Sequence, residues 1–202
     1  MRIPAIVLPL ALGGVLGWGV AAIDRVRAPW VVLLFWLAPI HWLNALITTD
    51  TPLIFWSLAS AAVLLRADVC TDSRQAWALH ALSGLCLGLA FLSKYFAVVL
   101  GLAYTVYFLV WRRERWAHFA LLVLCALPGP LINLWWNMGH GWANIMFNVF
   151  NRNAGETFSW DKPGLYVLMW FYLLTPGLVW LLWQQRQAWW SGLRRHPLLL
   201  CL

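Results

Sequence analysis

The chain has 202 residues, 63% of them hydrophobic and 10% charged, with a formal net charge of +7. Such a balance excludes an ordinary soluble domain. The excess of base does not point to nucleic acid, because the Lys and Arg residues lie in separate gaps between apolar runs rather than on one continuous patch.

The apolar runs, in chain order, are Ile3–Ile23, Trp30–Ile47, Leu53–Leu65, Ala78–Leu92, Tyr95–Trp111, Phe119–Trp136 and Leu165–Trp183. A bilayer core leaves no partner for a free backbone group, so a spanning chain must be helical through about 20 apolar residues. None of the runs alternates with period two, which argues against barrel strands. The expected fold class is therefore all-α: a polytopic helical membrane protein with about seven transmembrane helices and an interfacial outward-facing helix or loop. With no internal repeat and no low-complexity linker, residues 1–202 are expected to form a single integral-membrane domain.

The gaps carry charge unequally. Asp24–Arg27, Arg66–Arg74, Arg112–Arg115 and Arg186–Arg195 hold ten of the fourteen basic residues, and the other gaps hold only Arg2, Lys94, Arg152 and Lys162. The positive-inside rule places the ten on the cytoplasmic side. Thr48–Pro52, the turn at Ser93–Lys94 and the loop Asn133–Gly164 then face outward. Met1 would lie outside as well, and Pro197–Leu202 reads as the start of another apolar segment, so the chain is expected to be a fragment at both ends. A cleaved signal over Met1–Ala22 is the alternative for the first run, opposed by its length and by Arg25 and Arg27. The four cysteines show no paired spacing, and Cys86 and Cys125 read as small apolar groups within helices.

Three outward segments hold the chemistry. In the first, Thr51 suits a helix N-cap with Pro52 behind it, and Asp50 suits the positive helix end. Asp50 is also the only ionisable group of that turn, able to act as a base or to position a metal or an acceptor. In the second, Lys94 stands with no acid near it in sequence. It can snorkel to lipid headgroups or meet a phosphate at the membrane surface. In the third, Asn133, Asn137, His140, Asn144, Asn148 and Asn151 recur at helical spacing, opposite an apolar face with Trp135, Trp142, Ile145, Met146 and Val149. An interfacial amphipathic helix explains that pattern, yet a stripe of amides also presents the donors and acceptors that a sugar requires. Gly139 and Gly141 oppose one unbroken helix. Arg152, Glu156, Asp161 and Lys162 read as a solvated loop.

The ordered set ITTDTPLIFW, GLCLGLAFLSKYFAVVL and PGPLINLWWNMGHGWANIMFNVFNR resembles the membrane glycosyltransferases of the protein O-mannosyltransferase and aminoarabinose-transferase type, the C-type superfamily that includes glycosyltransferase family 39. The resemblance runs from Arg2 to Arg152. It implies transfer of a sugar from a polyprenyl-phosphate carrier to a lipid, protein or glycan acceptor, on the outer face of the bacterial inner membrane and among membrane lipids. It implies a catalytic-site role for Asp50, contact between Lys94 and the carrier phosphate, and places for His140 and Arg152 near the phosphate or acceptor; from the amide stripe, Asn137 is the further candidate for a substrate contact. A divalent metal ion at Asp50 is the one cofactor it leaves open. The family's principal carboxylate belongs to a first outward loop that would precede Met1, so activity of this chain alone is not implied.

Two other classes remain. A transporter would place ionisable or broken-helix elements at the bilayer midplane. His41 and Asn44 could line such a path, or bond between helices. A non-catalytic remnant or partner subunit would follow from the missing loop.

Overall fold

A computed structural model describes residues 3–38, 50–151, 161–173, 180, 183–184 and 186–201. Every regular element among them is helical. The chain falls into two compact units, Met1–Ile132 with Pro197–Leu202, and Asn133–His196.

The first unit opens with α1 (Ile3–Val20) and α2 (Ala28–Leu37), joined by a turn in which the Asp24 carboxylate accepts from the backbone N–H groups of Val26 and Arg27 at 3.0 Å each. Next come α3 (Thr51–Val69) and α4 (Ser73–Ser93), an antiparallel hairpin closed by three residues. Asp72 caps α4 by accepting from the Arg74 N–H at 3.1 Å. α5 (Ala97–Val110) returns after a break at Lys94, which is fully extended at φ −160° and ψ 141°. A short 3₁₀ turn (Arg113–Arg115) leads to α6 (Trp116–Ala126) and α7 (Pro128–Gly139), whose residues from Asn133 onward fall in the second unit.

Close helix approach in this unit depends on glycine. A Cβ on Gly84 would overlap the Leu122 carbonyl oxygen of α6, and one on Gly88 would lie 2.8 Å from that of Ala126. Gly84 and Gly88 are four apart on one face of α4, the small-xxx-small arrangement that lets two backbones meet inside a bilayer. Above them α3, α4 and α5 share a buried polar knot. Ser60 Oγ donates to the Ser83 carbonyl (2.9 Å) and lies 3.0 Å from the Tyr104 hydroxyl, while Ser83 Oγ donates to the Ser60 carbonyl (3.0 Å). Each hydroxyl is paired, as burial away from water requires. Around the knot, Leu64, Leu65, Leu87, Tyr107, Phe108 and Leu122 form the apolar core, closed by Leu198 of α11 (Leu198–Cys201). An apolar cavity of about 280 Å³ lies between α1 and α3, lined by Leu16, Gly19, Ser57, Ala61, Leu65 and Leu199 among others.

The second unit contains α8 (Ala143–Met146), a π turn (Phe147–Asn151), α9 (Asp161–Leu173) and α10 (Arg186–Arg195). All four cysteines are free thiols.

Three helical segments are long and apolar enough to cross a membrane: Thr51–Val69, Ser73–Ser93 and Arg113–Gly139. Val7–Val20, Ala28–Leu37 and Ala97–Val110 are apolar but shorter. Of the seven expected spans, therefore, three meet the length that a bilayer demands among the described residues. The Trp30–Ile47 and Leu165–Trp183 runs pass partly outside those residues, as do His41 and Asn44. α3 is longer at both ends than the Leu53–Leu65 run. Charges that ended the run in sequence are tolerated in the helix because they are paired: Arg66 donates to the Trp18 carbonyl (2.7 Å) with its guanidinium 4.1 Å from the Trp18 ring centroid, and Asp68 binds Arg112.

Candidate active site

Asp50 occupies the N-cap position of α3, so the helix begins one residue earlier than a Thr51 cap would allow. Its carboxylate makes no capping bond. It pairs instead with the Lys94 ammonium, 44 positions away, at the far end of α4. The hairpin makes this meeting possible: α3 starts and α4 stops at the same end, bringing Asp50 to Lys94. Lys94, which has no acid near it in sequence, thus has one in space. Each charge also suits its helix, an anion at the positive start of α3 and a cation at the negative finish of α4. Both side chains stay about one-third exposed, 37% for Lys94 and 35% for Asp50. Beside them Thr51 is 9% exposed, and its hydroxyl has no hydrogen-bond partner among the described residues.

The amide stripe is broken in two. α7 ends at Gly139, and both Gly141 and Trp142 are left-handed at φ 62°. That conformation costs nothing at Gly141 but about 1–2 kcal/mol at Trp142. Asn137 holds the break together. It is fully buried; its Nδ2 donates to the Asn133 carbonyl (2.8 Å) and side-chain oxygen (3.0 Å), and its Oδ1 accepts from the Ile145 N–H (3.4 Å). Its backbone carbonyl accepts from Trp142 N–H at 2.9 Å and His140 N–H at 3.1 Å. Asn137, read in the sequence as a substrate contact, makes these bonds within the chain and supplies α8 with the cap that Trp142 lacks. Asn148 repeats the device on Asn144 at 2.8 Å.

His140 is exposed and stacks flat on Trp136, ring centroids 4.0 Å apart and planes 9° apart. Its Nδ1 lies 2.8 Å from the Trp136 carbonyl, which can only accept, so Nδ1 is the donor. Arg152 lies outside the described residues. Asp50 and Lys94 are thus brought together in the first unit, and Asn137 and His140 belong to the second.

A second charged cluster is not among the sites expected from the sequence. At the opposite end of α3, Asp68 accepts from Arg112 Nε and Nη2 at 2.9 Å each, and Arg115 lies 3.9 Å away. Arg112 also donates to the Tyr107 hydroxyl (3.1 Å), and Arg115 reaches the Ala67 and Asp68 carbonyls (3.4 Å each). Hydrogen bonding to Asp68 holds the Arg112 guanidinium above its ordinary range. The available signal was Asp68 itself, a lone acid in a gap otherwise full of arginine.

A divalent metal at Asp50 is left open by the resemblance. Among the described residues no group of three or more His, Cys, Asp or Glu could hold one, and Asp50 faces an ammonium rather than a second carboxylate.

Residues 1–136 match the family model described as dolichyl-phosphate-mannose-protein mannosyltransferase. The match includes Asp50, Thr51 and Lys94 and stops one residue before Asn137. No curated protein and no solved structure matches the chain significantly.

Proposed function

The chain belongs to the dolichyl-phosphate-mannose-protein mannosyltransferase family, a family of membrane glycosyltransferases, and from that premise we propose that it transfers a sugar from a polyprenyl-phosphate carrier to a lipid, protein or glycan acceptor. The observation that carries the reading is the convergence of Asp50 and Lys94 at one end of the α3–α4 hairpin.

The reaction needs two opposite groups. The acceptor oxygen or nitrogen bonds to the anomeric carbon while the carbon–oxygen bond to phosphate breaks. That electron pair leaves on the carrier phosphate, and the acceptor's proton must go to a base. A fixed cation at the departing phosphate stabilises the charge that develops there, and a carboxylate beside the acceptor can take the proton. Lys94 is assigned to the phosphate and Asp50 to the acceptor. His140 and Arg152 are assigned to further substrate contacts on the resemblance alone, and Asn137 to positioning. The apolar cavity beside α3 has the chemistry to take hydrocarbon, which suits a donor whose tail stays in the bilayer.

The orientation follows from charge. Arg66, Arg112 and Arg115 gather at the end of α3 opposite Asp50, so the positive-inside rule turns the Asp50–Lys94 end outward, to the exterior or periplasmic side of a bacterial inner membrane.

The test is photocrosslinking with a polyprenyl phosphate carrying a diazirine in its first isoprene unit, in native membranes. Label is expected in peptides from α3 or α4 and should fall when unlabelled polyprenyl phosphate is added. Uniform labelling of all helices, unaffected by competitor, would overturn the reading.

A further inference from the structure

We propose that the Asp50–Lys94 ion pair is the resting state of a phosphate site, in which Asp50 serves as the counter-ion that an incoming phosphate displaces, with the Thr51 hydroxyl completing the site for that phosphate. The inference rests on the assignment of Lys94 to the carrier phosphate and adds the order of events there.

Three observations point the same way. The pair is made by one carboxylate and one ammonium that are each about one-third exposed, so an anion from outside can reach Lys94 without opening the core. An exposed pair of this kind is held weakly and is replaceable. Next, the Thr51 hydroxyl, in the residue following Asp50, is buried and has no hydrogen-bond partner among the described residues. A buried hydroxyl without a partner is a standing cost, and one that a ligand can remove. Finally, the site lies at the start of a 19-residue helix, where partial positive charge favours an anion whether that anion is Asp50 or a phosphate. A phosphate oxygen accepts from both the ammonium and the hydroxyl, whereas the carboxylate of Asp50 uses only the first.

The exchange breaks one ion pair and makes another, with no proton transferred: Lys94 stays an ammonium and Asp50 a carboxylate. Its consequence is coupling. While the site is empty, Asp50 is neutralised by Lys94; once phosphate holds Lys94, the carboxylate is released to take a proton from the acceptor. The base thus becomes available only when the donor is in place, which disfavours unproductive chemistry on the acceptor or on water.

The ligand chemistry is a phosphate ester or phosphate ion, and its source is distinguished by three probes on the full chain in phosphatidylcholine nanodiscs: dodecyl phosphate, inorganic phosphate, and phosphatidylglycerol doped into the disc. Binding is read from tryptophan fluorescence and from the thermal midpoint. Asp50→Asn removes the competing charge, so dodecyl phosphate is expected to bind about tenfold more tightly than to wild type, even though transfer is lost. Thr51→Val is expected to raise the thermal midpoint of the empty protein and weaken binding about tenfold, while Thr51→Ser keeps wild-type affinity. If Asp50→Asn binds the same or more weakly, Asp50 is not a displaced counter-ion and the proposal falls. If Thr51→Val binds as wild type does, the hydroxyl has no part in the site. The same Asp50→Asn gain with inorganic phosphate or phosphatidylglycerol supports the exchange and assigns its source to that probe. Lys94→Gln separates the two levels of inference. Undiminished binding there overturns the assignment of Lys94 to phosphate, whereas loss of binding without the Asp50→Asn gain overturns the exchange alone.

Discussion

The two ends of α3 carry ion pairs of different construction. At one end Asp68 is 9% exposed and receives a two-pronged grip from Arg112, supported by Tyr107 and Arg115, with backbone carbonyls taking further donors. At the other end, among the described residues, Asp50 pairs with Lys94 alone, both about one-third exposed, beside a Thr51 hydroxyl without a hydrogen-bond partner. The first is saturated, and its burial makes every bond count. The second keeps bonding capacity in reserve. A group whose valences are filled by its own chain can stabilise a fold but has little to offer a substrate. That contrast, rather than the presence of charge, is what favours the Asp50–Lys94 end as the proposed site.

Substitutions can break or sharpen the contrast. The largest effect is expected at Lys94. Lys94→Gln should lower sugar transfer by about 10²–10³-fold, the loss seen when a group stabilising developing charge is removed. Its effect on stability should stay within about 1 kcal/mol, because the pair is exposed. Parallel transfer assays and thermal unfolding of the same preparation check both. Gly84→Leu comes next, since it drives a side chain into the Leu122 backbone and should cost about 3 kcal/mol or prevent insertion, removing both ends together. Asp68→Asn should cost about 2 kcal/mol, less than a fully buried pair because Arg112 is 32% exposed. Transfer per folded molecule should not change, and a folded Asp68→Asn protein with transfer lost would mean that the two ends are not separate in role. Ser60→Ala, in the knot midway between the ends, should cost about 0.6–1 kcal/mol by thermal unfolding in detergent, with transfer intact.

Much of the helical framework was legible in the residues. The Ala78–Leu92 and Tyr95–Trp111 runs correspond to α4 and α5, and the turn expected at Lys94 is where the chain breaks. These were readable because hydropathy is a local property. Pairing is not. Asp50 and Lys94 are 44 residues apart, and only the antiparallel return of α4 along α3 unites them. Asp68 and Arg112 are likewise 44 apart, and the charges of Arg66 and Asp68 made the end of α3 look like a loop. The amide stripe was visible as spacing, but spacing assumes one continuous helix. With Gly139 and Gly141 flanking His140, the helix stops, and the Asn137 amide bonds across the stop, which spacing alone does not show. One signal was present and unused: GLCLG, residues 84–88, carries the small-xxx-small spacing on which α4 and α6 pack.

The most direct measurement compares the two ends in one assay. Transfer of a radiolabelled sugar from a polyprenyl-phosphate donor would be followed in membrane vesicles containing wild-type, Lys94→Gln or Arg112→Gln protein, each normalised to the amount folded. Transfer by wild type and Arg112→Gln, with its loss in Lys94→Gln, is the predicted result. Equal transfer by all three, or greater loss in Arg112→Gln, would contradict the placement of the site at the Asp50–Lys94 end.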